Sequence, residues 1–138
     1  MEIDFSKLLP HQEPFVLPSG LVEFESLKSI HTYRDIVKED YFLNGHFPGE
    51  PIFPGVMILE FMAQTAGSLL LLSELSGQKM YLVKVDKARF SSLVCPPVRL
   101  HSKVDLVRRR GIIFEFNAEA FVDDKLVAKA VITLAIKE

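Results

Sequence analysis

Two residues break an apolar background in places where polar groups are costly. Glu60 lies inside the most apolar run of the chain, Val56–Leu72 (VMILEFMAQTAGSLLLL). His46 lies fourteen positions earlier, in the Gly/Pro-framed segment Asn44–Gly55 (NGHFPGEPIFPG). A buried carboxylate is expensive unless it is hydrogen-bonded or protonated. A histidine held between Gly45 and Phe47-Pro48-Gly49, just ahead of a helix, is well placed for proton transfer. The helix start at Gly55 offers free N–H groups and a positive dipole end to a developing oxyanion. Gly55 also lets a carbonyl approach the backbone closely. A base, a carboxylic acid and an N–H cluster in an apolar surround suit proton transfer at a carbon next to a carbonyl, with a second group serving a leaving hydroxyl. The residues alone leave a plainer alternative open, in which Glu60 pairs with a polar core group and His46 caps a loop.

The elements that must hold these groups follow from the pattern. Asp40–Pro54 is dense in Pro and Gly and reads as a rigid loop, because Pro48, Pro51 and Pro54 lack donors and restrict their predecessors. After Gly55 the spacing predicts a long helix, apolar nearly all round and therefore central, with Gly77 as its stop. Upstream, Phe5–Leu9 reads as a short amphipathic piece ending at Pro10; Phe15–Leu17 and Leu21–Phe24 read as short strands, and Ser29–Ile36 as a longer one. Downstream, Met80–Phe90, Arg99–Val107, Ile112–Val122 and Leu126–Ile136 read as strands. Ile112, Phe114, Phe116, Ala118, Ala120 and Val122 alternate with polar partners. Short turns between them predict an antiparallel meander. One apolar helix plus such a sheet gives an α+β fold, the sheet curled round the helix.

Composition narrows the classes. With 138 residues, one domain spanning 1–138 is expected. A net charge of -2 argues against a nucleic-acid partner. Cys95 is the only cysteine, so neither a disulfide framework nor a structural zinc site is expected. Glu2 and Asp4 at the start do not resemble a secretory leader, and a cytoplasmic location is expected. The Val56–Leu72 run is shorter than a membrane span and carries Glu60 and Gln64, so a buried helix is expected instead.

Three stretches carry a resemblance. Leu8–Leu17 (LLPHQEPFVL), Asn44–Gly67 (NGHFPGEPIFPGVMILEFMAQTAG) and Lys87–Phe90 (KARF) resemble, in the same order, the 3-hydroxyacyl-[acyl-carrier-protein] dehydratases of fatty acid synthesis. The resemblance implies the hot-dog fold, an antiparallel sheet wrapped round a long central helix. It implies His46 as the base that removes the C2 proton and Glu60 as the acid at the departing C3 hydroxyl. The backbone N–H of Gly55 would hold the thioester carbonyl. A Glu at position 60 resembles the dehydratase-only branch. Phe53, Met57, Ile58, Phe61 and Tyr81 are expected to line the acyl tunnel, with Tyr81 as its gate. Lys87 and Arg89 are expected to meet the acidic acyl carrier protein, with acyl-coenzyme A as the other possible substrate form. No metal or organic cofactor is implied. In the family the site lies between two subunits, so a homodimer with shared active sites, or a hexamer built from it, is expected.

The chain departs from the family pattern at Gln12 (usually Arg), at Pro18-Ser19-Gly20 (usually with an Asp-Arg pair), at Lys84 (usually Gly) and at Pro96-Pro97-Val98 (usually Pro-Gly-Asp). His11 belongs to the matching segment and is weighed mainly as a loop-fixing residue. His31 and His101 read as ordinary strand residues. Two alternatives remain at this level: a hot-dog acyl thioesterase, and a non-catalytic acyl-binding subunit of a specialised, polyketide-like pathway.

Overall fold

The computed structural model describes residues 2–43 and 49–137. Helix α1 (Phe5–Leu8) is a single turn, capped by the Asp4 side chain accepting from the Ser6 N–H at 3.0 Å. Strands β1 (Gly20–Glu25) and β2 (Ser29–Ile36) form an antiparallel pair, and a 3-10 turn follows at Tyr41–Leu43. Helix α2 (Gly55–Ser73) precedes strands β3 (Met80–Phe90), β4 (Val98–Arg110), β5 (Ile113–Val122) and β6 (Lys125–Ile136). All six strands join one antiparallel sheet in the order β1-β2-β4-β5-β6-β3.

The sheet curls round α2, as the α+β reading expects. Phe61, Met62, Leu69 and Leu70 of the helix are buried among Ile30, Leu100, Val104, Phe114, Phe116 and Ile132 of the strands. Each such side chain contributes roughly 1.5–3 kcal/mol on burial, so this helix stripe and the inner sheet face carry most of the driving force. By length and mean hydropathy (1.6) α2 could cross a membrane, but 67% of that window is buried inside the fold, so it serves as the core helix.

Three expectations change in detail. The four downstream strands do not form one meander: β4, β5 and β6 do, while β3 lies at the sheet edge against β6. In the connection between β3 and β4 the Val94 C=O accepts the Phe53 N–H at 2.8 Å and the Ser91 N–H donates to the Val127 C=O at 2.9 Å. Phe15–Leu17 is no strand, because side chains rather than a neighbouring strand satisfy its backbone, as described below. Helix α2 stops at Ser73, ahead of Gly77. The Glu74 N–H bonds the Leu70 C=O, and Gly77 takes a positive φ of 80° in the following turn.

Candidate active site

Glu60 lies in the second turn of α2, on a different stripe from the core residues. At 100° per residue, Glu60, Ala63, Gln64, Gly67 and Leu71 share one face, while Ile58, Phe61, Met62, Thr65 and Leu69 share another. The first face lines a cleft of about 420 Å³, closed on its other sides by Leu9–His11 and by Met80–Leu82 of β3. The Glu60 side chain is 27% exposed there.

One amide fixes that carboxylate. Gln64 Nε2 donates to Glu60 Oε2 at 2.9 Å and to the Phe15 C=O at 2.9 Å. Gln64 Oε1 accepts the Leu17 N–H at 2.9 Å. The amide cannot be flipped without breaking both backbone bonds, so its NH2 end must face Glu60. His11 Nε2 lies 3.6 Å from the same Glu60 oxygen. The His11 ring stacks on Phe15 with centroids 6.1 Å apart, and its Nδ1 is buried with no partner among the described residues. Glu60 Oε1 has no hydrogen-bond partner among the described residues and remains available to a ligand in the cleft.

The start of α2 supplies the second feature. Pro54 is its N-cap and provides no side-chain acceptor. Its C=O accepts from Met57 and Ile58, so the N–H groups of Gly55 and Val56 have no partner within the helix. A Cβ at Gly55 would sit 3.2 Å from the Phe90 ring, so glycine leaves the space that brings the ring close to this turn.

The other expected site residues fall into three groups. His46 lies outside the described residues, as does the flanking Gly45. Phe53, Ile58 and Phe61 are sealed in the core, and Met57 is half-buried against it. Ile58 and Phe61 lie on the helix stripe that faces the sheet and Phe53 precedes the helix; of the five expected tunnel positions Tyr81 is the one among the described residues that lines the cleft beside Glu60. The apolar wall of that cleft comes instead from Ala63, Gly67, Leu71, Met80, Leu82 and Leu134. Lys87 and Arg89 are exposed on β3, at a bulge where Lys87 takes a φ of 52°. Among the described residues no three His, Cys, Asp or Glu side chains are grouped to hold a metal ion.

Gln64 is the residue that sequence reasoning under-used. Its signal was present: a second polar side chain four positions after Glu60 on an apolar helix must share its face. The strap Pro10–Leu17 that completes the clamp had no such signal, because its backbone does the bonding.

An antiparallel sheet curled about one long helix, with a clamped carboxylate on the helix's cleft side, defines a hot-dog protein. The dehydratase heterocomplex ApeI:P from Xenorhabdus doucetiae shares this fold, with a TM-score of 0.85 over 100% of this chain and 93% of that one, at 16% identity. In sequence, the profile of the FabA-like domain matches residues 9–131. The 3-hydroxyacyl-[acyl-carrier-protein] dehydratase FabZ of Cupriavidus taiwanensis is 40% identical over 143 residues, covering 99% of this chain and 96% of that protein. The FabZ of Campylobacter fetus subsp. fetus is 36% identical over 135 residues, covering 93% and 91%. The chain therefore belongs to the FabA-like family, among the 3-hydroxyacyl-[acyl-carrier-protein] dehydratases.

Proposed function

We propose that this chain catalyses the reversible dehydration of (3R)-hydroxyacyl thioesters on acyl carrier protein to trans-2-enoyl thioesters, in fatty acid or related acyl-chain synthesis. The observation that carries the reading is the Glu60 clamp: one carboxyl oxygen is held by Gln64, the other has no partner among the described residues, and Glu60 lines a largely apolar cleft. In the protonated acid the hydrogen belongs on Oε1, because Oε2 already accepts from Gln64. The substrate's C3 hydroxyl would meet that proton. His46 takes the C2 proton, the thioester oxygen gains negative charge beside the Gly55 N–H, and the C3–O bond breaks as Glu60 protonates the leaving hydroxyl. Return of the C2 proton from His46 to Glu60 through the released water resets both groups. The acyl chain lies along Gly67, Leu71 and Leu134.

A second copy completes the site in this reading. The edge strand β3 exposes Tyr81, Leu82 and Val83 beside the cleft, each about half accessible, and an unpaired apolar edge favours pairing with another chain. One domain spanning 1–138 is the repeating unit, with Lys87 and Arg89 facing the acidic carrier protein, and the cytoplasm is its location. The test is a coupled hydration/dehydration assay on carrier-bound and coenzyme A substrates of several chain lengths. Interconversion lost in His46→Ala and Glu60→Gln supports the reading. Release of free thiol without change at C2–C3 points to a thioesterase and overturns it.

A further inference from the structure

Arg34 of β2 is only 12% exposed although it carries a permanent charge. Its Nη1 donates to the Leu17 C=O at 2.8 Å and leans on the Val16 C=O at 3.4 Å. Its Nη2 donates to Asp40 Oδ1 at 3.1 Å, and its guanidinium carbon lies 5.3 Å from the centre of the Phe42 ring. Leu17 is also the residue whose N–H fixes Gln64, and Gln64 orients Glu60. On the other side, the Asp40 C=O accepts the Leu43 N–H at 3.0 Å and closes the 3-10 turn, which is followed directly by the segment containing His46. Phe42 packs edge-on to Phe53, centroids 5.9 Å apart, one residue before the Pro54-Gly55 start of α2. One planar guanidinium thus grips the strap behind Glu60 and the turn ahead of position 44.

We infer that Arg34 is a positioning residue for the dehydration: it ties the strap that aims Glu60 to the turn at Asp40–Leu43, so one side chain holds the proton-transfer acid in place. The inference rests on the role proposed above for Glu60. Arginine suits this task because its donors are fixed in a fork and reach a carbonyl and a carboxylate together; a lysine presents one point charge and serves one of them well. None of Arg34, Leu17, Asp40 and Phe42 lines the cleft beside Glu60, so the effect should appear in turnover rather than in binding.

The test uses the full chain with Arg34→Lys, which keeps the charge beside Asp40, and Arg34→Met, which keeps an unbranched apolar stem and removes the charge; both are first checked for folding by melting. Positioning errors of this kind cost on the order of tenfold to hundredfold in rate, so kcat should fall by that factor in Arg34→Lys with KM nearly unchanged. The Gln64 side-chain amide signals in NMR should shift in the same variant. Arg34→Met combined with Gln64→Leu should lose little more kcat than Gln64→Leu alone, since both act through Glu60. A folded Arg34→Lys with wild-type kcat, unmoved Gln64 signals, or losses that multiply independently would overturn the inference. If the wild-type chain itself shows no dehydration, the reading of the site fails, while the Gln64 signals still decide whether Arg34 holds the strap.

Discussion

Gln64 donates one amide hydrogen to Glu60 Oε2 at 2.9 Å, while Oε1 has no hydrogen-bond partner among the described residues. The relationship divides labour inside a single carboxyl group. One oxygen is anchored and the other is presented, so the acid has a defined direction before any ligand arrives. The same amide also holds the strap through Phe15 and Leu17.

Gln64→Leu should therefore damage two properties at once. The Phe15 C=O and Leu17 N–H lose their partner, and an orphaned buried polar group costs about 1–3 kcal/mol. Glu60 also loses its aim, with a further fall in kcat of about tenfold or more. Thermal melting and steady-state kinetics on one preparation read both effects. A variant that melts early yet keeps full kcat would assign Gln64 a structural role only.

The sharing of the site between subunits proposed above has a quantitative consequence. His46→Ala and Glu60→Gln homodimers should each be nearly inactive. After exchange of subunits at random, half the dimers are mixed and each holds one intact site, so mixing equal amounts should restore roughly a quarter of wild-type activity. No recovery, despite exchange verified by mass, would mean that both groups of a site come from one chain.

Gly55→Ala separates chemistry from stability. The new methyl meets the Phe90 ring at 3.2 Å, and Phe90 is 46% exposed, so the ring can yield by a few tenths of an ångström. Alanine also restricts the unfolded chain, worth about 0.4–1 kcal/mol in its favour. The melting temperature should stay near wild type, while a methyl beside the presented N–H lowers kcat/KM by about tenfold or more. Unchanged kcat/KM would remove Gly55 from the site.

The paired histidines away from the cleft set a pH dependence of stability. His31 Nε2 and His101 Nδ1 lie 2.9 Å apart across β2 and β4. Burial holds both below the ordinary histidine range. His101 and Lys103 push His31 down further, and Arg99 and Lys103 do the same to His101; Glu23 opposes the shift at His31, and Asp35 and Asp123 oppose it at His101. The unfolded chain binds protons at about pH 6.5 that the folded chain still refuses. Stability is therefore full above that pH and falls as pH drops through the folded-state values. Melting from pH 8 to pH 5 should show a shallower fall in His31→Gln than in wild type. Equal slopes would assign the acid sensitivity elsewhere.

The legible part of this molecule was what depends on periodicity and on spacing along one element. Ser29–Ile36 and the start of α2 at Gly55 came directly from pattern, as did the inward row Phe114, Phe116, Ala118 and Ala120. Glu60 was visible as a charge out of place. The position of β3 was not visible, because pairing with β6 rather than β4 depends on a crossing connection and not on either strand's composition. Phe53, Ile58 and Phe61, expected to line the tunnel, are buried in the core and do not line the cleft beside Glu60. An apolar side chain near Glu60 in sequence faces the sheet or the cleft according to helical phase, and a helix apolar all round hides its phase. Arg34 and Leu17 are joined by backbone acceptors seventeen residues apart, which residue types do not announce.

The two stripes of α2 also separate what this enzyme can vary from what it must keep. Exchanges at Phe61 or Leu69 disturb the packing of the whole sheet. Exchanges at Gly67 reshape the wall of the cleft proposed for the acyl chain, and exchanges at Leu71 do so together with the small cluster it forms with Phe5, Leu9 and Val16. Descendants of such a chain can thus drift in the length or branching of the acyl groups they accept through a few positions on one side of a helix, while the opposite side continues to specify the fold.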